Sequence, residues 1–312
     1  VRIPARKAVP FVPHAARLRS AYLYGLAGFA LLSLGDAVIK TMAGAWPGTA
    51  VAALRFGFGT AGLGALLLWR EGPRAFVPPR WGVQILRGGA LAAASLLFFL
   101  AVFVMPLAEA TAIQFVNPML TAFVSAWLLG ERPARATVNA TILAFVGVMI
   151  VLRPNVELLG LAALLPLAAG LGMAFLMTGN RMAAGDTSPL AAQFFVAAIA
   201  FVVLSVAALA GHVSGIAAWH IGWPPASVIA RCALVAVSAS GAHMLVYAAT
   251  SRATAAAIAP TVYVQIIAAT LIGLVWFGDW PDAAAVLGTA IIIGSGLWLW
   301  YRSAGAGRGE RV

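Results

Sequence analysis

Apolar residues fill this chain in runs of about twenty, each closed by a short turn rich in glycine, proline or charge. Ten runs are long enough to cross a hydrocarbon core of about 30 Å: residues 21–39, 49–69, 81–104, 107–129, 134–152, 158–180, 190–211, 226–250, 254–277 and 283–300. Trp46-Pro47-Gly48 separates the first two, a basic loop over residues 70–80 the next pair, and Met105-Pro106 the third from the fourth. Because most connections are short, consecutive helices should be antiparallel neighbours. Gly57, Ala61 and Ala65 in the second run present a small-residue face on which another helix could pack closely.

The pattern is doubled. Gly130-Glu131-Arg132-Pro133 joins the fourth and fifth runs, and Gly278-Asp279-Trp280-Pro281 joins the ninth and tenth. A shift of 148 positions superimposes the two motifs and places Asn117 on Gln265, two amides in apolar surroundings. Lys40 falls on Arg181 at an offset of 141, and Ile85-Leu86-Arg87 on Ile229-Ala230-Arg231 at 144. Offsets that rise steadily along the chain are what unequal loop lengths in a repeat would produce.

Composition narrows the class. Of 312 residues, 62% are hydrophobic and 9% charged, against about 25% charged in a soluble domain; this predicts an all-α polytopic membrane protein. The net charge of +11 suggests a nucleic-acid partner only until the positions are read. With the N-terminus placed in the cytoplasm, that side holds Arg2, Arg6, Lys7, Arg17, Arg19, Arg70, Arg74, Arg80, Arg87, Arg132, Arg135, Arg181, Arg252, Arg302, Arg308 and Arg311. The outer side holds Lys40, Arg153 and Arg231, and Arg55 lies within a run. Such a bias puts both termini inside and assigns the charge to topology; no nucleic-acid partner is expected. Five crossings per half then invert the second half relative to the first. Two inverted five-helix units are a layout that secondary transporters use for alternating access about a site near the midplane.

The expected division is a basic cytoplasmic tail over residues 1–19, one repeat over 20–154, a second over 155–302 and a flexible tail over 303–312. The basic start resembles the leading part of a signal peptide, but the run after it is too long for a signal core. Cys232, the single cysteine, has no disulfide partner and reads as a small apolar residue inside a helix.

Ala53-Leu54-Arg55-Phe56, Leu86-Arg87-Gly88, Glu109-Ala110-Thr111-Ala112-Ile113 with Asn117-Pro118, Leu129-Gly130-Glu131-Arg132-Pro133 and Gly147-Val148 together resemble the drug/metabolite transporter superfamily, specifically its ten-span EamA-type members. The resemblance covers residues 20–302. The second copy has Gly-Asp-x-Pro where the family often has Gly-Glu-x-Pro. The resemblance implies a secondary carrier, monomeric or weakly dimeric, with a central cavity between the repeats and no cofactor. Family members move amino acids, drugs, vitamins, nucleoside derivatives or sugar conjugates; export of amino acids is the expectation adopted, on similarity of size and layout to bacterial exporters.

Polar side chains within spans mark pathways. In the fourth run Thr111, Gln114, Asn117, Thr121 and Ser125 recur every three or four residues and share a helical face. They are read as a cavity wall around Asn117, with Pro118 loosening the helix; helix-to-helix hydrogen bonding is the alternative. The ninth run answers with Thr254, Thr261 and Gln265, near Pro260 and Tyr263. His243 and Tyr247, four apart on the eighth, are further candidates for substrate contact, with a structural histidine as the rival. Asp36, Lys40, Arg55 and Glu109 all fall in the outer half of the first repeat and are read as an ion network or gate. Asn117 and Gln265 are expected to meet at the symmetry axis.

Other classes lack their chemistry. There is no Gly-x-x-x-x-Gly-Lys-Ser/Thr loop for a nucleotide-driven pump, and the four histidines and one cysteine are scattered too widely for a metal set. An intramembrane enzyme would need paired acids, of which Asp36 and Glu109 are the few candidates; a channel would not need inverted copies. Eighteen arginines against two lysines, with abundant alanine and glycine, point to a GC-rich bacterial source and thus to a bacterial inner membrane.

Overall fold

A computed structural model describes residues 14–130, 133–253 and 258–309. Ten of its helices are long and apolar enough to cross a membrane: Leu18–Lys40, Gly48–Glu71, Trp81–Val104, Leu107–Leu129, Arg135–Arg153, Gly160–Met182, Pro189–Val213, Ala226–Thr250, Pro260–Phe277 and Ala283–Arg302. They are numbered here as the first to tenth spans. The described residues contain no strand, as lipid requires of a chain whose backbone groups must be satisfied within each segment. Glu131, Arg132 and Thr254, singled out above, lie outside the described residues.

The span ends follow the sequence reading closely, with corrections at the termini. The first helix starts at His14, within the expected basic tail, and the last runs on to Gly309, through much of the expected flexible tail. Arginine, alanine and serine permit helix, and a transmembrane helix supplies the nucleus on which such flanks can continue. Odd-numbered spans run from a face carrying Arg80 and Arg252 to a face carrying Lys40, and even-numbered spans return.

Sequence neighbours do not dominate the packing. The first span lies against the eighth and ninth, the third against the sixth and seventh, the second against the seventh and eighth, the fourth against the sixth and ninth, and the fifth against the tenth. Glycines allow the closest of these approaches. A Cβ on Gly147 of the fifth span would stand 2.7 Å from the Gly288 carbonyl oxygen of the tenth, so two backbones meet there. In the second span, Gly57 and Gly64 admit the rings of Phe201 and Phe194 from the seventh. This replaces the expected Gly57-Ala61-Ala65 face: Ala61 and Ala65 are exposed.

Both turn glycines have a definite backbone task. Gly130 and Gly278 each end a helix in the left-handed region, at φ 70° and 68° with ψ 17° and 19°, a conformation that glycine adopts without the Cβ penalty. The fourth span is interrupted between Gln114 and Asn117. Pro118 has no N–H to give the Gln114 carbonyl, and the Asn117 side-chain amide donates to that oxygen instead, at 3.2 Å. A Cβ on Gly170 of the sixth span would lie 3.0 Å from the same oxygen, so the break is packed.

Candidate functional site

The charged residues of the membrane interior converge from different spans. Asp36 on the first span is half-buried, and the Gln265 side-chain amide of the ninth donates to its Oδ2 at 3.3 Å. The Ser33 hydroxyl, three residues before Asp36 and therefore on the same face, donates to the Gln265 main-chain carbonyl at 2.6 Å. Gln265 is thus held at both its backbone and its side chain by the first span. Arg55 enters from the second span and lies near enough to Asp36, Cys232 and His243 for its charge to be felt at each. Its guanidinium carbon stands 4.2 Å from the Phe56 ring centroid. The Arg55 Nε is buried without a hydrogen-bond partner among the described residues.

The eighth span supplies the far wall. His243 lies on the same side of its helix as Cys232 and Ala236, eleven and seven residues earlier. Those two are buried, yet His243 is exposed. His243 therefore borders open space on the interior side of the helix, not the lipid. Tyr247, one turn further on, is also exposed, at 60%. Tyr263 of the ninth span sits beside Phe115 of the fourth, ring centroids 6.1 Å apart.

Lys40 belongs to a different contact from the one its spacing suggested. Its ammonium donates to the Asp279 carboxylate at 2.5 Å and to the Met105 carbonyl at 3.1 Å, and it lies 4.8 Å from the Phe277 ring centroid. One cation thereby ties the end of the first span to the turns after the third and ninth at the Lys40 face. Glu109 is buried in the first turn of the fourth span, where the positive end of the helix dipole favours a carboxylate. The expected group of Asp36, Lys40, Arg55 and Glu109 is thus divided: Asp36 and Arg55 lie within each other's electrostatic reach, while Lys40 pairs with Asp279 at one end.

The fourth-span face is divided as well. Thr111 is fully buried and donates to the Leu107 carbonyl at 2.7 Å, and Thr121 donates to Asn117's carbonyl at 2.8 Å. Ser125 pairs with Thr178 of the sixth span at 3.1 Å. Gln114 and Asn117 remain half-buried at the break. Among the described residues no hydrogen bond joins Asn117 to Gln265; the partner of Gln265 is Asp36. Sequence reasoning missed Ser33, which its i, i+3 spacing to Asp36 could have revealed, and the role of Asp279, which read only as part of a turn.

The opposite face has its own ties. Arg80 reaches Asp186 at 2.5 Å and also donates to the Met182 carbonyl, and the Ser188 hydroxyl donates to the Glu71 carboxylate at 2.7 Å. Arg87, buried, donates to Asn180 at 2.8 Å and Gln84 at 2.6 Å. On the Lys40 face a cleft of about 800 Å³ is bordered by Trp46, Trp219 and Trp223, residues suited to the headgroup level of a bilayer. It contains none of the expected site residues.

The profile of the EamA-like transporter family matches residues 19–153. The S-adenosylmethionine uptake transporter of Rickettsia prowazekii (strain Madrid E) is 25% identical over 287 residues, covering 90% of this chain and 93% of that protein. Its counterpart in Rickettsia bellii (strain RML369-C) is 26% identical over 281 residues, covering 88% and 92%. An uncharacterized transporter of Helicobacter pylori (strain J99 / ATCC 700824) is 30% identical over 210 residues, covering 65% of this chain and 68% of that one. A protein crystal structure aligns with a TM-score of 0.59 at 21% identity, over 90% of this chain and 96% of the other, a likeness of fold. These names indicate transport, and none of them supports the expected amino-acid export. With ten apolar helices, the relatives make this a multi-pass protein of the bacterial inner membrane.

Proposed function

We propose, from the premise that the chain belongs to the EamA-like transporter family, that it is a secondary carrier for the uptake of S-adenosylmethionine or a closely similar amino-acid-bearing sulfonium compound. The observation that carries this reading is the meeting of Asp36 and Arg55 inside the bundle, each in the other's field and neither consumed in a direct ion pair among the described residues. Charged groups are costly within a membrane and persist where they pair or serve a pathway. S-adenosylmethionine brings a carboxylate, an ammonium, a sulfonium and a flat base, and the interior offers an acid, a guanidinium, the Gln265 amide, His243 and the aromatic residues Tyr247 and Tyr263. Relatives named for uptake of that compound, similar along nearly their whole length, favour import over the export expected at first.

The carrier works by alternating access between two inverted halves, residues 20–154 and 155–302, with both termini cytoplasmic. Three features support this. Contacts recur five spans along: the first on the eighth and the third on the sixth; the first on the ninth and the fourth on the sixth; the second on the eighth and the third on the seventh. Gly130 and Gly278 share one backbone conformation, and the sixteen-to-three basic bias orients the chain. The Lys40 face is then outward, and Lys40 with Asp279 latches it. Gln114, Asn117 and Thr121 line the same cavity from the fourth span. Transport is facilitative, since among the described residues no chain of hydrogen-bonded acids links Asp36 to either face.

Proteoliposomes test the reading. Labelled S-adenosylmethionine should enter saturably and show counterflow when the lumen is preloaded. Absence of uptake by correctly folded protein would refute the substrate, unitary conductance would refute the carrier, and accumulation driven by a pH gradient alone would refute facilitative exchange.

A further inference from the structure

We infer that Arg55 is the receptor for the carboxylate of the transported molecule, and that Asp36 beside it restricts the site to compounds that carry a cation next to that carboxylate. The inference rests on the carrier reading above and assigns the half of the substrate that each charge recognises.

A guanidinium inside a span normally finds an anion or carbonyl to offset its desolvation. Arg55 does not: its Nε is buried and unpartnered among the described residues, and neither of the ion pairs found there includes it. The nearby acid is otherwise engaged, because Gln265 donates to Asp36 and Ser33 holds the Gln265 backbone. Stacking on Phe56 at 4.2 Å fixes the guanidinium without using any of its N–H groups. The planar fork is therefore held in place with its donors available, the geometry that receives a carboxylate through two parallel hydrogen bonds.

There is room for such a ligand. A Cβ on Gly59, one turn from Arg55 on the same helix, would meet nothing within 4 Å. His243, also within the field of Arg55, borders the interior space described above. Asp36 then imposes a condition on charge. A simple anion reaching Arg55 meets the carboxylate of Asp36, whereas a zwitterion can set its ammonium or sulfonium against it. This selects amino-acid-like ends over phosphate esters or dicarboxylates.

The test is binding to full-length protein in nanodiscs, with S-adenosylmethionine and its decarboxylated analogue as probes, on wild type, R55K and R55Q. Wild type should favour the carboxylate-bearing probe by about tenfold to a hundredfold, the range for a hydrogen bond to a charged group. R55Q should bind the two probes alike, and R55K, which keeps the charge without the fork, should fall between. Equal binding of both probes by wild type, or a preference that survives in R55Q, overturns the inference while leaving the substrate reading intact. Should R55Q fail to fold, R55K decides, and a preference undiminished from wild type overturns the inference. Should wild type bind neither probe, the substrate reading fails; the inference is then judged on methionine against methioninamide and glutamine against its α-amide, and lack of preference for the acids overturns it.

Discussion

Lys40 holds an acceptor from each half of the chain, the Met105 carbonyl and the Asp279 carboxylate, with its side chain 14% and that of Asp279 22% exposed. Removing the cation leaves a carboxylate in a poorly solvated position. We expect Lys40→Met to lower stability by about 1–3 kcal/mol, between the values for exposed and buried pairs, and Lys40→Met with Asp279→Leu to recover at least half of the loss; thermal unfolding in detergent would measure both. If Lys40 and Asp279 act as the proposed latch, a cysteine replacing the buried Met42 in a Cys232→Ala background should become more accessible to thiol reagents in the double variant. Gly278→Ala, by contrast, forces a Cβ into the left-handed region and should cost about 1–2 kcal/mol. The two residues differ in how far they could be read from sequence. The glycine was legible because its task is local, whereas Lys40 is one turn from Asp36 in sequence and finds its carboxylate 239 positions away, which no spacing rule could show.

In the fourth span the side chain of Asn117 replaces the N–H that Pro118 lacks, and so keeps the Gln114 carbonyl satisfied at a helix break. Asn117→Leu should cost about 1–3 kcal/mol by orphaning that oxygen. Adding Pro118→Ala restores an N–H and should recover part of the stability while straightening the helix. Transport assayed beside thermal unfolding separates the two effects: a stable but inactive double variant would tie activity to the break itself, and equal loss in single and double variants would refute the substitution of one amide for another. The span as a unit was evident from its apolar length. Its polar face was evident too, but spacing alone does not reveal where each hydroxyl points its proton. Thr111 and Thr121 turn theirs back onto their own helix, and Ser125 meets Thr178.

Across the molecule, the number and limits of the spans could be read because each must be apolar for about 20 residues. Their neighbours could not. A helix in lipid is apolar all round, so no stripe marks the side that meets the eighth span or the seventh. The interior site suffers most from this, since Asp36, Arg55, His243 and Gln265 come from four spans. Topology is directly testable because Cys232 is the only cysteine and is buried. In a Cys232→Ala background, a cysteine at the exposed Ala43 should react with a membrane-impermeant maleimide in intact spheroplasts, and one at Arg74 only after permeabilisation; the reverse pattern would overturn the orientation.

The meeting of Gly147 with Gly288 bears on motion. It lies six residues from the end of the fifth span at the Lys40 face and twelve from its other end, or about 9 Å and about 18 Å at 1.5 Å per residue. If the fifth and tenth spans pivot there as an axle, the same rotation sweeps the Arg135 end about twice as far as the end at the Lys40 face. With the proposed orientation, such a lever opens a wide mouth to the cytoplasm and only a narrow slot to the exterior.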